Sequence, residues 1–190
     1  MKFKTALLFG LCFGLSSCFN GRSAEPNFYT LAPVIKERFS DKKFTIGINR
    51  IQIARYLDRP QIVTQKANST EVNLSETNRW IEPLSDLIAR TLTADMEKAL
   101  PNSTIKTRSI GQENFDYIIS VDIIRMDTVL NETAELNAWW MIYDKDEKLI
   151  YRQQTSETIN VGTTYQDMTA AQSILLGKLS EQIALKIAKL

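Results

Sequence analysis

The 190-residue chain has no histidine, two cysteines, seven glycines and five prolines, and its formal net charge is only +1. Each shortage excludes something. Without histidine the chain lacks the commonest metal ligand and the usual general base near neutral pH. The few glycines form no phosphate-cradling loop and no G-x-S-x-G elbow, and there is no CxxC or HExxH. Balanced charge gives no electrostatic case for nucleic acid. No apolar run reaches the roughly 20 residues that a membrane-spanning helix needs. The expectation is a protein without catalytic residues, bound metal or cofactor, and therefore not an enzyme.

What is present begins at the N-terminus. Lys2 and Lys4 precede an apolar run from Thr5 to Leu15, then Ser16, Ser17 and Cys18. A basic start, a short apolar stretch and small residues before a break make a secretory signal. Leu15-Ser16-Ser17-Cys18 also matches the bacterial lipobox, in which the cysteine is acylated before cleavage. The competing reading is an ordinary signal peptide with an incidental cysteine. Three features agree against it: the basic start, the length of the apolar run and the lipobox. The expected organisation is a lipoprotein-type signal peptide at 1–17, a lipid-anchored tether at 18–27 and a single α+β domain at 28–190. Cys12 would leave with the signal, so Cys18, carrying acyl chains such as palmitate, would be the only cysteine of the mature chain. No intrachain disulfide could then form even in an oxidising compartment. Two or more acyl chains hold a protein stably, at ~0.8 kcal/mol per buried CH₂. Phe19 stands where an aspartate would retain such a protein in the inner membrane, which points to the periplasmic face of the outer membrane. Nine residues of tether reach at most roughly 30 Å, so the folded body is expected close to the bilayer.

Beyond the tether, FYTLAP (28–33) reads as a short edge strand closed by Pro33, and 36–43 as a charged connection. Phe44, Ile46 and Ile48 alternate on one face and Ile51 and Ile53 on the other, which predicts one strand bulged near Asn49-Arg50. QIVTQ (61–65) reads as its return strand after the turn YLDRP, and 69–73 as another short strand. A helix is expected from Pro83, with Glu82 as a weak cap and Leu84, Leu87, Ile88, Leu92, Met96 and Leu100 at spacings of three and four. Strands are expected at 104–108, 115–125, 133–143 and 149–161, the last two joined by DKDEK. The closing helix, 165–189, carries Met168, Ala171, Leu175, Leu179, Ile183 and Ile187, with Thr164 and Asp167 as its capping pair. Strands segregated from two long amphipathic helices indicate an α+β fold, a mostly antiparallel sheet with both helices on one face.

Asp116, Asp122 and Asp127 share one strand region, but Asp116 and Asp122 would stand roughly 20 Å apart, beyond the ~5–9.5 Å of a glycosidase pair. A solvated strand face explains them better. A lipid-anchored hydrolase would need something like a Ser/Lys pair, and no motif for one is present. The sequons at Asn68, Asn73, Asn102 and Asn131 read as polar loop composition. Trp139 and Trp140 should point to opposite faces of a strand, one beneath a helix and the other open to a partner. Trp80, three residues before Pro83, could staple the start of the helix or line a groove.

The pieces FYTLAP, IQIARYLDRPQIVTQ and NRWIEPLSDLIARTLTADMEKALP, behind a lipobox, resemble the PqiC/YmbA family, auxiliary outer-membrane lipoproteins of MCE-type ABC transport systems. The likeness is densest over 44–101 and thins over 104–190, and none of its motifs is catalytic. The resemblance implies a lipid-anchored domain, forming a homo-oligomeric ring, that docks on a periplasmic MCE-protein tunnel carrying lipid between membranes. The other reading of an anchored, non-catalytic body is an assembly lipoprotein supporting a lipopolysaccharide export barrel. Contact surfaces centre on aromatic and arginine anchors. Tyr56, Arg59, Arg79 and Trp80, in the best-matched segment, are therefore the expected partner-contact residues, on loops sharing one side of the sheet.

Overall fold

The computed structural model describes residues 24–107 and 114–190. The signal segment, Cys18 and most of the expected tether lie outside the described residues, as does Arg108 at the end of an expected strand. The elements are β1 (Asn27–Tyr29), β2 (Thr45–Ile48), β3 (Gln52–Ile53), β4 (Gln61–Gln65), β5 (Val72–Trp80), α1 (Leu84–Ala99), β6 (Thr104–Thr107), β7 (Tyr117–Val129), β8 (Thr133–Asp144), β9 (Leu149–Asn160) and α2 (Tyr165–Ala188). They form a three-stranded sheet, β1-β5-β4, and a six-stranded sheet, β6-β2-β7-β8-β9 with β3 alongside β7. The α+β class is as expected.

The long antiparallel ladder β7-β8-β9 supports α2. Strict alternation puts Ala134, Leu136, Ala138, Trp140 and Ile142 of β8 on the helix side, all at 0% exposure. A register shift between Ile123 and Arg125 of β7 changes which residues face inward. Met126 and Thr128 thereby stay opposite Leu136 and Ala134 and remain buried. The rest of the six-stranded sheet is parallel: β2 runs parallel to both β6 and β7, and β3 parallel to β7. The whole sheet is thus mixed rather than antiparallel throughout.

The expected return strand pairs elsewhere. β4 joins β5, not the 44–53 segment, because β2 already has β6 on one edge and β7 on the other. Burial of Ile46, Gly47 and Ile48 in succession is the mark of a parallel strand covered on both faces. Gly47 has no room for a side chain, since a Cβ there would stand 2.9 Å from the Phe115 ring. The single bulged strand expected over 44–53 is two short strands, broken where the inward face was expected to change, with Ile51 buried in the break. The short strand expected at 69–73 is instead β5, nine residues long and reaching Trp80.

α1 packs against β6 and α2, and α2 against β8 and β9. Leu92 is 1% exposed and Leu179 0%, in the one core cluster that draws on both sheets and both helices. Thr164 caps α2 with Asp167 in a reciprocal box, Thr164 Oγ1 accepting from the Asp167 amide and Asp167 Oδ2 from the Thr164 amide, each at 3.0 Å. α1 differs from expectation: Pro83 is its cap residue without a side-chain bond, and Glu82 pairs with Arg90 at 2.6 Å. A polar chain sets α2 on the sheet. Trp140 Nε1 donates to Thr155 Oγ1 (3.0 Å), Thr155 to Gln182 (2.6 Å), and Lys178 to Glu157 (2.9 Å). The DKDEK connection is a tight hairpin, Asp144 Oδ1 accepting from the amides of Asp146 and Lys148. Asn68 and Asn131 adopt left-handed backbone, a conformation asparagine tolerates in turns.

Residues 30–44, which take in the expected charged connection at 36–43 and the latter part of the edge strand expected at 28–33, form a strap across the helices. The Ala32 amide donates to Ser173 Oγ (3.1 Å), the Phe39 amide to the Ala99 carbonyl (2.8 Å), and the Phe44 amide to Ser103 Oγ (3.2 Å). Midway, the Val34 and Ile35 amides both donate to Oδ1 of Asp95, at 2.7 and 2.8 Å. Asp95, on α1, is fully buried. Burial pushes its carboxyl up from the ordinary range, against the opposing pull of the two amides. No donor lies within hydrogen-bond geometry of Oδ2, and the neighbouring Ser180 hydroxyl donates to the Leu176 carbonyl at 2.9 Å. Gly177 lets the strap lie this close, since a Cβ there would fall 2.2 Å from Val34 Cγ2.

A candidate partner-binding cleft

The segment between β3 and β4 cannot continue the six-stranded sheet, and it folds into a turn. The Leu57 amide donates to the Ala54 carbonyl (2.9 Å) and the Arg59 amide to the Leu57 carbonyl (2.8 Å). Buried Leu57 fixes the turn to the core. Its far end is tied to β5 by the Trp80 amide, which donates to the Pro60 carbonyl at 2.8 Å. The next amide, of Ile81, donates to the Tyr29 carbonyl of β1 at 3.0 Å. Three stretches of chain distant in sequence therefore meet where the three-stranded sheet gives way to α1.

Between the turn and the end of β5 lies a cleft of about 310 Å³ lined by Asp58, Arg59, Pro60, Trp80, Ile81, Glu82 and Pro83. Trp80 forms a buried wall, 5% exposed, and Ile81 stands 53% exposed at the mouth. Pro60 and Pro83 stiffen both sides. Glu82 is held to one side by Arg90. The Arg59 Nε is buried with no acceptor. A rigid apolar wall, an unpaired guanidinium nitrogen and two carboxylates suit a partner segment carrying an apolar side chain with a hydrogen-bond acceptor beside it. A groove of about 430 Å³ between the strap and α2 is larger, but it is rimmed by Lys36, Glu37, Lys178 and Glu181.

Of the four residues expected at a partner contact, Arg59 and Trp80 line this cleft together. Arg79 is next to Trp80 in sequence but, by strand alternation, on the other face of β5, opposite Phe28 of β1 and Gln61 of β4. Its Nε is likewise buried without an acceptor. Arg79 and Trp80 thus belong to a strand and not to a loop, and Trp80 pairs in register with Tyr29. Tyr56 does not reach the cleft. Its hydroxyl bonds to Asp127 Oδ1, and burial first, then that carboxylate, hold the hydroxyl well above the ordinary tyrosine range. Asp127 also accepts from Arg125 Nε at 2.9 Å, which holds the guanidinium above its usual value. The cluster joins the turn to β7.

Two of the three aspartates considered for chemistry have structural partners: Asp127 those just described, and Asp116 the Thr45 amide at 2.7 Å. Trp139 and Trp140 divide as expected. Trp140 is buried beneath α2, while Trp139 lies on the opposite face beneath the Arg152 guanidinium, 4.1 Å from the ring centroid. Sequence reasoning missed Ile81 and Pro83 as cleft residues, although the run Trp80-Ile81-Glu82-Pro83 places an apolar side chain in a stretch otherwise read only as a helix start.

Two solved structures share the fold. A crystal structure of an uncharacterized protein aligns with a TM-score of 0.66 at 17% identity, covering 87% of this chain and 97% of the other. A Xanthomonas campestris protein aligns with a TM-score of 0.69 at 14% identity, covering 86% and 95%. No curated protein sequence matches. The family model for the ABC-type transport auxiliary lipoprotein component matches residues 29–184, from the end of β1 into the last turns of α2. With the match running across both sheets, both helices and the cleft between them, this chain belongs to that family of ABC-type transport auxiliary lipoproteins.

Proposed function

We propose that this protein is a non-enzymatic auxiliary lipoprotein of an MCE-type intermembrane lipid transport system. It is held by lipid on Cys18 at the periplasmic face of the outer membrane of a Gram-negative bacterium. One domain, residues 28–190, follows the tether 18–27, and its copies form a homo-oligomer that docks on the periplasmic MCE tunnel. The membership in a transport-auxiliary lipoprotein family supports this reading, as does the resemblance of the 28–101 segment to the MCE-associated members. The observation that carries the docking role is the cleft. Arg59 and Trp80, chosen as contact anchors from sequence, converge on one rigid apolar recess with exposed Ile81 at its mouth. Tyr56 serves in this reading to hold the turn in place, and Arg79 acts from the neighbouring face of β5.

Affinity purification of the full chain from crosslinked cells tests the proposal. The MCE protein is expected with the wild type and strongly reduced with Ile81→Asp or with Arg59→Ala combined with Arg79→Ala. Copurification of a β-barrel assembly instead would overturn the MCE assignment, and undiminished recovery with stable variants would overturn the role of the cleft. Cys18→Ser should leave an unprocessed precursor that takes up no labelled palmitate.

A further inference from the structure

β1 and β5 run parallel, with Asn27 opposite Asn78. The chain therefore approaches β1 from the end of the three-stranded sheet at which β5 begins. β5 extends further that way than β1 does, from Asn78 back to Val72. At ~3.3 Å per residue this overhang is roughly 20 Å, and the β4–β5 turn lies beyond it. Along the overhang Val72 and Leu74 are each 47% exposed, and as alternate residues they share a face. Glu76, next on that face, is exposed and charged. The turn carries no net charge from its one ion pair, Lys66 with Glu71 at 3.2 Å. From Cys18 to Asn27 the chain can span at most about 32 Å. An anchored tether thus holds the start of β1 no farther from the bilayer than about one and a half times the length of the overhang pointing the same way.

We infer that the tip of the β4–β5 hairpin rests on the bilayer that receives the anchor, Val72 and Leu74 entering the boundary between headgroups and acyl chains. The tip makes a second, non-covalent membrane contact that fixes the orientation of the body, with the cleft at the opposite end of β5. The inference rests on lipidation of Cys18. A second copy of this chain is the other candidate occupant. The apolar pair favours the bilayer because it lies at the tether end, on a small neutral tip that turns charged again within one more residue of that face.

The lipidated mature chain has no free thiol on this reading, so Val72→Cys, Leu74→Cys and, at the far end of β5, Ile81→Cys each introduce a single site for an environment-sensitive fluorophore. The purified lipidated chain is reconstituted into phosphatidylethanolamine–phosphatidylglycerol vesicles with or without lipids carrying a nitroxide near the headgroup. Several-fold stronger quenching is expected at 72 and 74 than at 81. Vesicle flotation with equal, weak quenching at all three positions would overturn the membrane contact while leaving the anchor standing. Self-quenching between labels at 72 or 74 without nitroxide quenching would assign the face to a second copy instead. A Cys18 thiol that reacts with the fluorophore, together with loss of flotation, would overturn anchor and inference together.

Discussion

On the six-stranded sheet, the helix-facing side chains of β8 alternate without interruption and are wholly buried beneath α2. On the three-stranded sheet, β5 leaves Val72 and Leu74 nearly half exposed, β1 leaves Phe28 56% exposed, and Ile81 stands free just past the strand end. The first surface has its apolar partners within the chain. The second has an apolar wall, exposed apolar residues and two arginine nitrogens without acceptors. Stability should therefore concentrate in one sheet and recognition in the other.

The sharpest way to break that division is to cut into each surface. Leu179→Ala is expected to cost about 3–5 kcal/mol, from lost burial and the cavity left under α2. Leu92→Ala belongs in the same range. Leu74→Ala should cost less than about 0.5 kcal/mol, as an exposed position does. Urea melts on the three variants measure this, and comparable losses at 74 and 179 would erase the distinction.

Asp95 gives the next largest effect, because it fastens the strap that links the two sheets. Asp95→Ala strands the Val34 and Ile35 amides and should cost about 2–3 kcal/mol. Asp95→Asn keeps an acceptor and loses the titration. Since the folded carboxyl titrates above its ordinary 3.8, the wild type gains stability in acid, fully present below that value and lost as pH rises through the folded pKa. Relative stability should therefore shift toward Asp95→Asn as pH rises from about 4 through the raised pKa of the folded carboxyl. Urea midpoints across that range test it, and parallel curves for the two proteins would contradict it.

The smallest stability effect is expected where recognition is assigned. Arg59→Ala with Arg79→Ala removes two donors whose Nε atoms bond to nothing, and should change stability by no more than about 0.5 kcal/mol. A much larger loss in a thermal melt would mean that these arginines support the turn and β5, sharpening the cleft into a structural feature instead.

What could be read from the sequence follows the same division. The stripe Met168, Ala171, Leu175, Leu179, Ile183 and Ile187, and the alternation through 133–143, are local patterns that burial enforces, and both were legible. The partners of the short strands were not. Nothing in Ile46-Gly47-Ile48 says that both edges are taken by strands more than 50 residues onward, and a parallel register carries no turn signal of its own. The long β5 was hidden because its overhang is unburied: NLSET alternates weakly when one face meets neither core nor helix. Asp95 looked like any helical carboxylate, since the strap amides that bury it come from 60 residues earlier in the chain. For the cleft, Arg59 and Trp80 were legible as residue types, while the separation of Tyr56 from them was not, because its partner, Asp127, lies on another strand.

The parallel pairing of β1 with β5 also decides how the molecule bears load. A pull on the N-terminal side of Asn27 acts lengthwise along β1, so the backbone bonds to β5 are sheared together instead of being peeled one at a time. What passes β1 meets the strap, clasped at Ser173, Asp95 and Ala99 before it enters β2 at the centre of the larger sheet. Tension applied at the tether is thereby divided between the helices and the Trp80 end of β5, where β1 is bonded beside the cleft.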